Sequence, residues 1–357
     1  MRHPIHCVIP PYIVERLARS RDPELRRRAR ASLVSGERFR AAREAAGTIS
    51  APRIRRPTPG TKRRMVYDAG SEIGLPGRLA RGEGDPPAAD PAVNEAYLHA
   101  GTTYDFYETV FERRSLDGNG MTLVSSVHVH DTDGEPLSNA FWNGDQMAYG
   151  DGDGRVFQRF TRALDVVGHE LAHGVQTFTS RLVYRGESGA LSEHFSDVFG
   201  VLVGQWRGDV SAREASWLVG ADVLVPAPTR RAIRDMENPG TAFVNDPDLG
   251  TDPQPGHVER LYVGPSDRGG VHINSGILNR AFVLAAKALG GRAWETVGRV
   301  WYATMLRLPP TARFSDCARL TVEEALPFGE RVERAVRDAW REVGLAVERP
   351  AARAACA

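Results

Sequence analysis

Lysine is nearly missing from this chain: Lys62 and Lys287 stand beside 44 arginines. So lopsided a choice points to genome composition as a source of the arginine, and it weakens any argument from basic charge alone to a nucleic-acid partner. Cysteine is as scarce. Cys7, Cys317 and Cys356 lie far apart and are odd in number, which excludes a fully paired disulfide framework and points to a reducing compartment or to stability without disulfides. No uninterrupted apolar run of about 18 residues occurs, so no membrane-spanning helix is expected. The opening MRHPIHCVIPPYIVERLARSRD has a short apolar patch, but two prolines break it and no small-residue cleavage site follows. It does not read as a secretory signal, which leaves a cytoplasmic location or export by a non-classical route.

What is present is an ordinary globular composition, 41% hydrophobic and 25% charged over 357 residues, long enough for two domains or two plus an appendage. The net charge of +1 hides an asymmetry: residues 1–64 hold 17 Lys/Arg against 5 Asp/Glu, and the remaining 293 hold 29 against 40. A basic arm precedes an acidic body, on which it could dock. Residues 13–46 read as one or two helices interrupted at Pro23, and GTISAPRIRRPTPGTKRR reads as a linker open to proteolysis. From 65 to about 160, short runs such as MTLVSSVHVH between DGNG, DTDG and GDGDG turns predict a β-rich half with one inserted helix around AYLHAGTTYDFYETVFERR. Beyond 160, Leu164, Val167, Leu171, Val175 and Phe178 recur at helical spacing, and NSGILNRAFVLAAKAL and GERVERAVRDAWREV predict further helices.

The chemistry concentrates in VVGHELAHGVQTF (166–178). His169 and His173, four residues apart, project from one helix face and can reach a single metal ion. Glu170 is turned off the ligand axis and so is placed to act on water as general base, the H-E-x-x-H arrangement. An amphipathic helix with two incidental histidines is the alternative, and a third ligand decides between them. Twenty residues on, ESGALSEHFSD offers Glu193 and Asp197 on a second helix. Two histidines and one carboxylate leave a fourth zinc position open, as catalysis requires, while Asp197 can accept the outer N–H of a ligating histidine.

These stretches together resemble the thermolysin family of zinc metallopeptidases. NAFWNGDQMAYGDGDG (139–154), IRDMENP (233–239) and DRGGVHINSGILNRAF (267–282) extend the resemblance collinearly over about residues 65–346. It implies an α+β, two-domain peptidase, with a β-rich N-terminal domain (56–160), a helical C-terminal domain (161–346), a zinc helix across the cleft and a C-terminal tail (347–357). It further implies that His169, His173 and Glu193 bind one catalytic Zn2+ and that Glu170 activates water. His272 and Tyr184 would stabilise the oxyanion, with Asp267 orienting His272 and Asp197 orienting His169. Asn139 and the Ala140 backbone would hold the peptide, and Arg234 the carbonyl beyond the scissile bond. Phe157, Phe160, Val166, Val219 and Ile233 would line a pocket for a bulky hydrophobic residue there.

Two departures shape the expectation. Where the family places acidic calcium ligands, this chain has Gly204, Ser216, Leu218 and Ala221, with Asp165 alone remaining, so the double-calcium site is predicted absent. The short opening with its Pro-Pro-Tyr motif resembles the protealysin-like branch, whose propeptides are brief. Residues 1–55 are then a propeptide that inhibits its own enzyme, made as a zymogen, and RIRRPTPGTKRR is the processing region. Cys7 is a candidate thiolate ligand for the open zinc position. The resulting expectation is a monomeric zinc endopeptidase acting on peptides or proteins, without nucleic-acid or membrane partners. A narrow-specificity zinc hydrolase and a nucleic-acid-binding protein with a structural metal are the rivals. The second suffers from its ligand types and from an arm without interleaved aromatics.

Overall fold

The computed structural model describes residues 6–45, 61–70, 74–131 and 134–348. The stretch expected to carry the processing bond falls largely in 46–60, and most of the C-terminal tail in 349–357, both outside the described residues. Among the described residues, no helix is long and apolar enough to cross a membrane.

The arm opens with a two-residue strand β1 (His6–Cys7) and two helices, α1 (Pro11–Leu17) and α2 (Pro23–Ala45). Proline starts both helices, where its missing N–H is harmless and its fixed φ is already helical. Asp22 Oδ1 accepts from the backbone N–H of Glu24 and Leu25 and caps the second. Pro23 is thus a start signal as well as an interruption. The β-rich half contains β2 (Arg64–Asp68), β3 (Arg78–Arg81), the long helix α3 (Pro91–Phe111), β4 (Leu123–Val127), β5 (Ala140–Trp142) and β6 (Met147–Tyr149). Asp90 caps α3 through Ala92 N at 2.7 Å. The strands form one six-stranded sheet in the order β1-β5-β6-β4-β2-β3, parallel only at β6-β4 and β4-β2. Its outer strand beyond β5 comes from the arm, in antiparallel register His6↔Trp142 and Cys7↔Phe141. Two residues are too few for any alternation to reveal a strand, so this pairing has no sequence signature.

The helical half comprises α4 (Leu164–Thr177), α5 (Gly186–Gly208), the short ribbon of β7 (Leu218–Val219) and β8 (Arg234–Asp235), then α6 (Asp267–Leu289), α7 (Val297–Arg307), α8 (Phe314–Ala325) and α9 (Glu330–Glu342). Glycine brings α4 and α5 unusually close. A Cβ on Gly200 would lie 2.4 Å from the Asp165 carbonyl oxygen and 2.9 Å from His169 N. Backbone-to-backbone approach here is what carries the second helix's carboxylates to the first helix's histidines.

The arm is part of the core. Val8, Ile9, Ile13, Val14, Leu17 and Leu25 are buried in the same continuous apolar cluster as Phe157, Phe160 and Val219. Ion pairs also join arm and body: Arg27 and Arg28 to Glu135 at 2.6 and 3.2 Å, and Asp22 to Arg155 at 2.5 Å. The last has the acid on the arm. Partly exposed pairs of this kind each contribute about 0–1 kcal/mol, against about 1.5–3 kcal/mol for each fully buried Val, Leu or Ile. Apolar burial therefore outweighs the opposite net charges in seating the described part of the arm.

Candidate active site

Helix α4, buried along nearly its whole length, carries His169, Glu170 and His173, and α5 supplies Glu193 and Asp197; all five are almost completely buried. Among the described residues, His169, His173 and Glu193 form the group able to hold a metal ion, with ligand atoms within 4.8 Å of one another. The spacing is informative. The two histidine Nε2 atoms lie 3.2 Å apart, His169 Nε2 is 3.4 Å from Glu193 Oε2, and His173 Nε2 is 3.4 Å from Glu193 Oε1. Ligands about 2.0–2.1 Å from a tetrahedral zinc ion lie about 3.4 Å from each other. Glu193 Oε2 is also buried without a hydrogen-bond partner, a costly state that a cation in the cradle would relieve. The residues fit zinc.

The surroundings hold each ligand. His169 Nδ1 donates to Asp197 Oδ1 at 2.9 Å, which leaves Nε2 facing the cradle. Asp197 also accepts from Arg234 Nε and Nη2 at 2.8 and 2.7 Å and from Asn279 Nδ2 at 2.9 Å. Burial pushes Asp197 up, but the Arg234 guanidinium and His169 overcome it and hold the carboxyl well below its ordinary range. Burial alone would strip the proton from His169; Asp197 and Glu193 reverse this and lift it to about 9, whereas burial prevails at His173 and takes it down to about 4. Glu170 is pushed up to about 8 by burial, with His169 opposing and Glu193 adding. A divalent cation between these groups would favour the deprotonated form of every one. Glu170 Oε2 accepts from Trp142 N at 3.0 Å, while Oε1 has no hydrogen-bond partner.

Across the cradle, α6 begins with a left-handed turn, Asp267 to Gly270, all with φ between 51° and 87°. Asp267 then serves two ends. Its Oδ2 accepts from His272 N and Ile273 N at 2.7 and 3.0 Å, and its Oδ1 accepts from His272 Nδ1 at 2.6 Å. Burial works against charge on His272, but Glu193 and Asp267 raise its pKa. Tyr184 OH donates to Glu193 Oε1 and lies 3.2 Å from His272 Nε2.

The arm runs through this same space. His272 Nε2 donates to the Cys7 carbonyl oxygen at 3.1 Å. Arg234 Nη1 donates to the Val8 carbonyl at 2.9 Å, the Ala140 carbonyl accepts from Val8 N at 3.3 Å, and Asn139 Oδ1 accepts from Ile9 N at 3.2 Å. Cys7 thus meets the site through its carbonyl. Its side chain packs beside the small cluster containing Leu137 and Phe141, and it is not in the metal-competent group. An antiparallel strand held at its backbone turns the Cys7 carbonyl toward His272.

Sequence comparison adds the deciding observation. A family model described as "Thermolysin metallopeptidase, catalytic domain" matches residues 80–177, and one described as "Thermolysin metallopeptidase, alpha-helical domain" matches 180–345. The chain belongs to the thermolysin family of metallopeptidases. An extracellular metalloprotease of Pectobacterium carotovorum subsp. carotovorum is 43% identical over 96% of this chain and 97% of that protein. Protease PrtS of Photorhabdus sp. (strain Az29) is 48% identical over 81% of this chain and 78% of its own. A thermolysin of Alicyclobacillus acidocaldarius is 38% identical over 79% of this chain but 50% of its own length. Among solved structures, the precursor of protealysin from Serratia proteamaculans superposes with a TM-score of 0.85 at 43% identity, covering 96% of this chain and all of that one. The chain is thus a metalloendopeptidase of the protealysin-like branch, with the two-domain α+β fold that the resemblance implied.

Within that family frame, Phe157, Phe160, Val166, Val219 and Ile233 are all fully buried and lie in one apolar cluster with Val8. The β7–β8 ribbon pairs Val219 with Arg234, which share one face of it, and Ile233 N donates to the Val219 carbonyl. Asp165 Oδ2 accepts from Gly220 N at 2.6 Å. Sequence reasoning missed the Trp142 N–H on Glu170, the Asn279 amide on Asp197 and the carbonyls of Cys7 and Val8. Backbone groups carry no residue signature. Asn279 could have been suspected as a polar residue within the apolar run ILNRAF. His194, next to Glu193, faces away: it pairs with Asn279 and accepts from Trp301 Nε1 at 2.8 Å, and burial depresses its pKa to about 4.

Proposed function

We propose that the chain is the zymogen of a zinc endopeptidase, with residues 1–55 as its propeptide, 56–160 and 161–346 as the two peptidase domains, 347–357 as a tail, and a preference for bulky hydrophobic residues after the scissile bond. The observation that carries the peptidase reading is the buried His169–His173–Glu193 cradle with the unpartnered Glu170 Oε1 beside it. Zinc held there supplies Lewis acidity, polarising a carbonyl and lowering the pKa of water. Glu170, its other oxygen fixed by Trp142 N–H, takes the proton from the attacking water and passes it to the departing nitrogen. His272 and Tyr184 donate to the carbonyl oxygen as charge develops on it. Asp267 and Asp197 hold His272 and His169 in the required orientation. Asn139, Ala140 and Arg234 align the peptide, with the apolar residue after the cut seated among Phe157, Phe160, Val166, Val219 and Ile233.

Latency follows from the arm's occupation of that cleft. Every peptide-binding group just named that the arm touches is engaged by its backbone, so a substrate must displace it. We also infer a monomer that acts on peptides or proteins and lacks the double-calcium site; against that site, Gly204, Leu218 and Ala221 offer no side-chain oxygen and Ser216 no carboxylate. The test is hydrolysis of a quenched peptide containing Phe and Leu before and after light trypsin treatment. Activity should emerge on nicking and fall by about 10^2–10^4 or more in Glu170→Gln, with bound zinc unchanged by metal analysis. Equal activity in wild type and Glu170→Gln would remove the general-base assignment.

A further inference from the structure

An inhibitory segment can block a cleft by lying across it; this one threads the cleft in the direction of a substrate. Antiparallel pairing on β5 fixes the chain's polarity. In that polarity, two successive carbonyls are read by two side-chain donors from different elements: Cys7 O by His272 and Val8 O by Arg234. The next amide, Ile9 N, goes to Asn139. Val8 is fully buried, and Pro10, which has no N–H, ends the pairing and turns the chain into α1. The carbonyl at His272 is the one whose carbon a catalytic water would attack, and the residue after it fills the buried apolar side.

We propose that the chain presents its own Cys7–Val8 peptide bond to the catalytic site as an intramolecular substrate, so that the zymogen cuts itself there. This rests on the zinc endopeptidase reading above. The step consumes one water. Its oxygen adds to the Cys7 carbonyl carbon, the C–N bond to Val8 breaks, Cys7 keeps the new carboxylate, and the Val8 nitrogen leaves as an amine with the proton carried by Glu170. The product side does not fall away. Val8 O, Ile9 N and the buried face of α1 retain their partners, so the clipped arm remains a product-like occupant of the cleft.

The test uses the full chain loaded with zinc and followed by intact-mass spectrometry. Loss of residues 1–7, leaving Val8 as the new N-terminus at a rate independent of protein concentration and absent in Glu170→Gln, is expected. A second readout needs no turnover. In metal-free Glu170→Gln, hydrogen exchange at the Val8 and Ile9 amides should be slowed at least ten-fold relative to Val8→Asp. An intact Cys7–Val8 bond in a chain that hydrolyses the quenched peptide after nicking would overturn this proposal and leave the peptidase reading standing. So would cleavage there whose rate rises with concentration, or unprotected Val8 and Ile9 amides. Absence of hydrolysis of either bond, with zinc bound, would overturn both.

Discussion

Cys7 illustrates how a side chain and its backbone can suggest different roles. A thiol close to the Pro-Pro-Tyr motif invites a ligand assignment, yet the contact with His272 is made by the carbonyl, whose position depends on strand pairing. Cys7→Ser should therefore leave the latency of the unprocessed chain unchanged, measured as the ratio of quenched-peptide hydrolysis before and after nicking; a rise of ten-fold or more in un-nicked activity would restore the thiolate. His128 offers a prediction of another kind. Its Nδ1 donates to Asp151 at 2.7 Å and its Nε2 to Asp90 at 2.5 Å, tying the cap of α3 to the turn after β6. The Asp151 hydrogen bond, with Asp90 adding and burial opposing, lifts it to about 9. Because the folded value lies above the unfolded value of about 6.5, the stabilisation is complete below about pH 6.5 and is lost as pH rises through about 9. Discounted for partial exposure, it amounts to about 1–2 kcal/mol. Urea unfolding of His128→Gln should lack that loss of stability between pH 7 and 10.

At the scale of elements, the zinc cradle depends on two helices touching at glycine. Gly200→Ala would drive a methyl group into the Asp165 carbonyl and His169 N, forcing α5 off α4 at a cost of about 1–3 kcal/mol and separating Glu193 from the histidines. Zinc affinity by chelator competition should fall by ten-fold or more. At Gly204, one turn further along the same helix, an added Cβ would meet nothing within 4 Å, and Gly204→Ala should keep zinc affinity and add up to about 1 kcal/mol of stability. These elements also mark what the sequence could reveal. His169, Glu170 and His173 are legible because one helix fixes their geometry, and Glu193 because a second helix follows after a short loop. Asn139, Arg234 and His272 come from a strand edge, a two-stranded ribbon and a left-handed helix start. No local period links them, and only family resemblance gathers them. The strand β1 was beyond reach for a different reason: its partner, not its own composition, makes it a strand.

At the scale of the whole molecule, a basic arm on an acidic body suggested an electrostatic clasp, whereas the buried apolar face of α1 outweighs it. Leu17→Asp should raise the activity of the un-nicked chain toward the quenched peptide several-fold or more. Glu135→Ala, which removes the acid facing Arg27 and Arg28, should change it by less than about five-fold, as expected for partly exposed pairs worth about 1 kcal/mol or less. The reverse ranking would return the clasp to charge.

The sheet edge at β5 has a consequence for what the enzyme can eat. While the arm is in place, its strand satisfies that edge; once it is gone, any replacement must offer an extended backbone of the same polarity. A segment already committed to a helix or to the middle of another sheet has no free backbone groups to give. The protease is thereby a gauge of foldedness. It should digest a denatured protein rapidly while sparing the native form of the same chain except at loops long enough to straighten, and a comparison of reduced, unfolded ribonuclease with its native counterpart would read that selectivity directly.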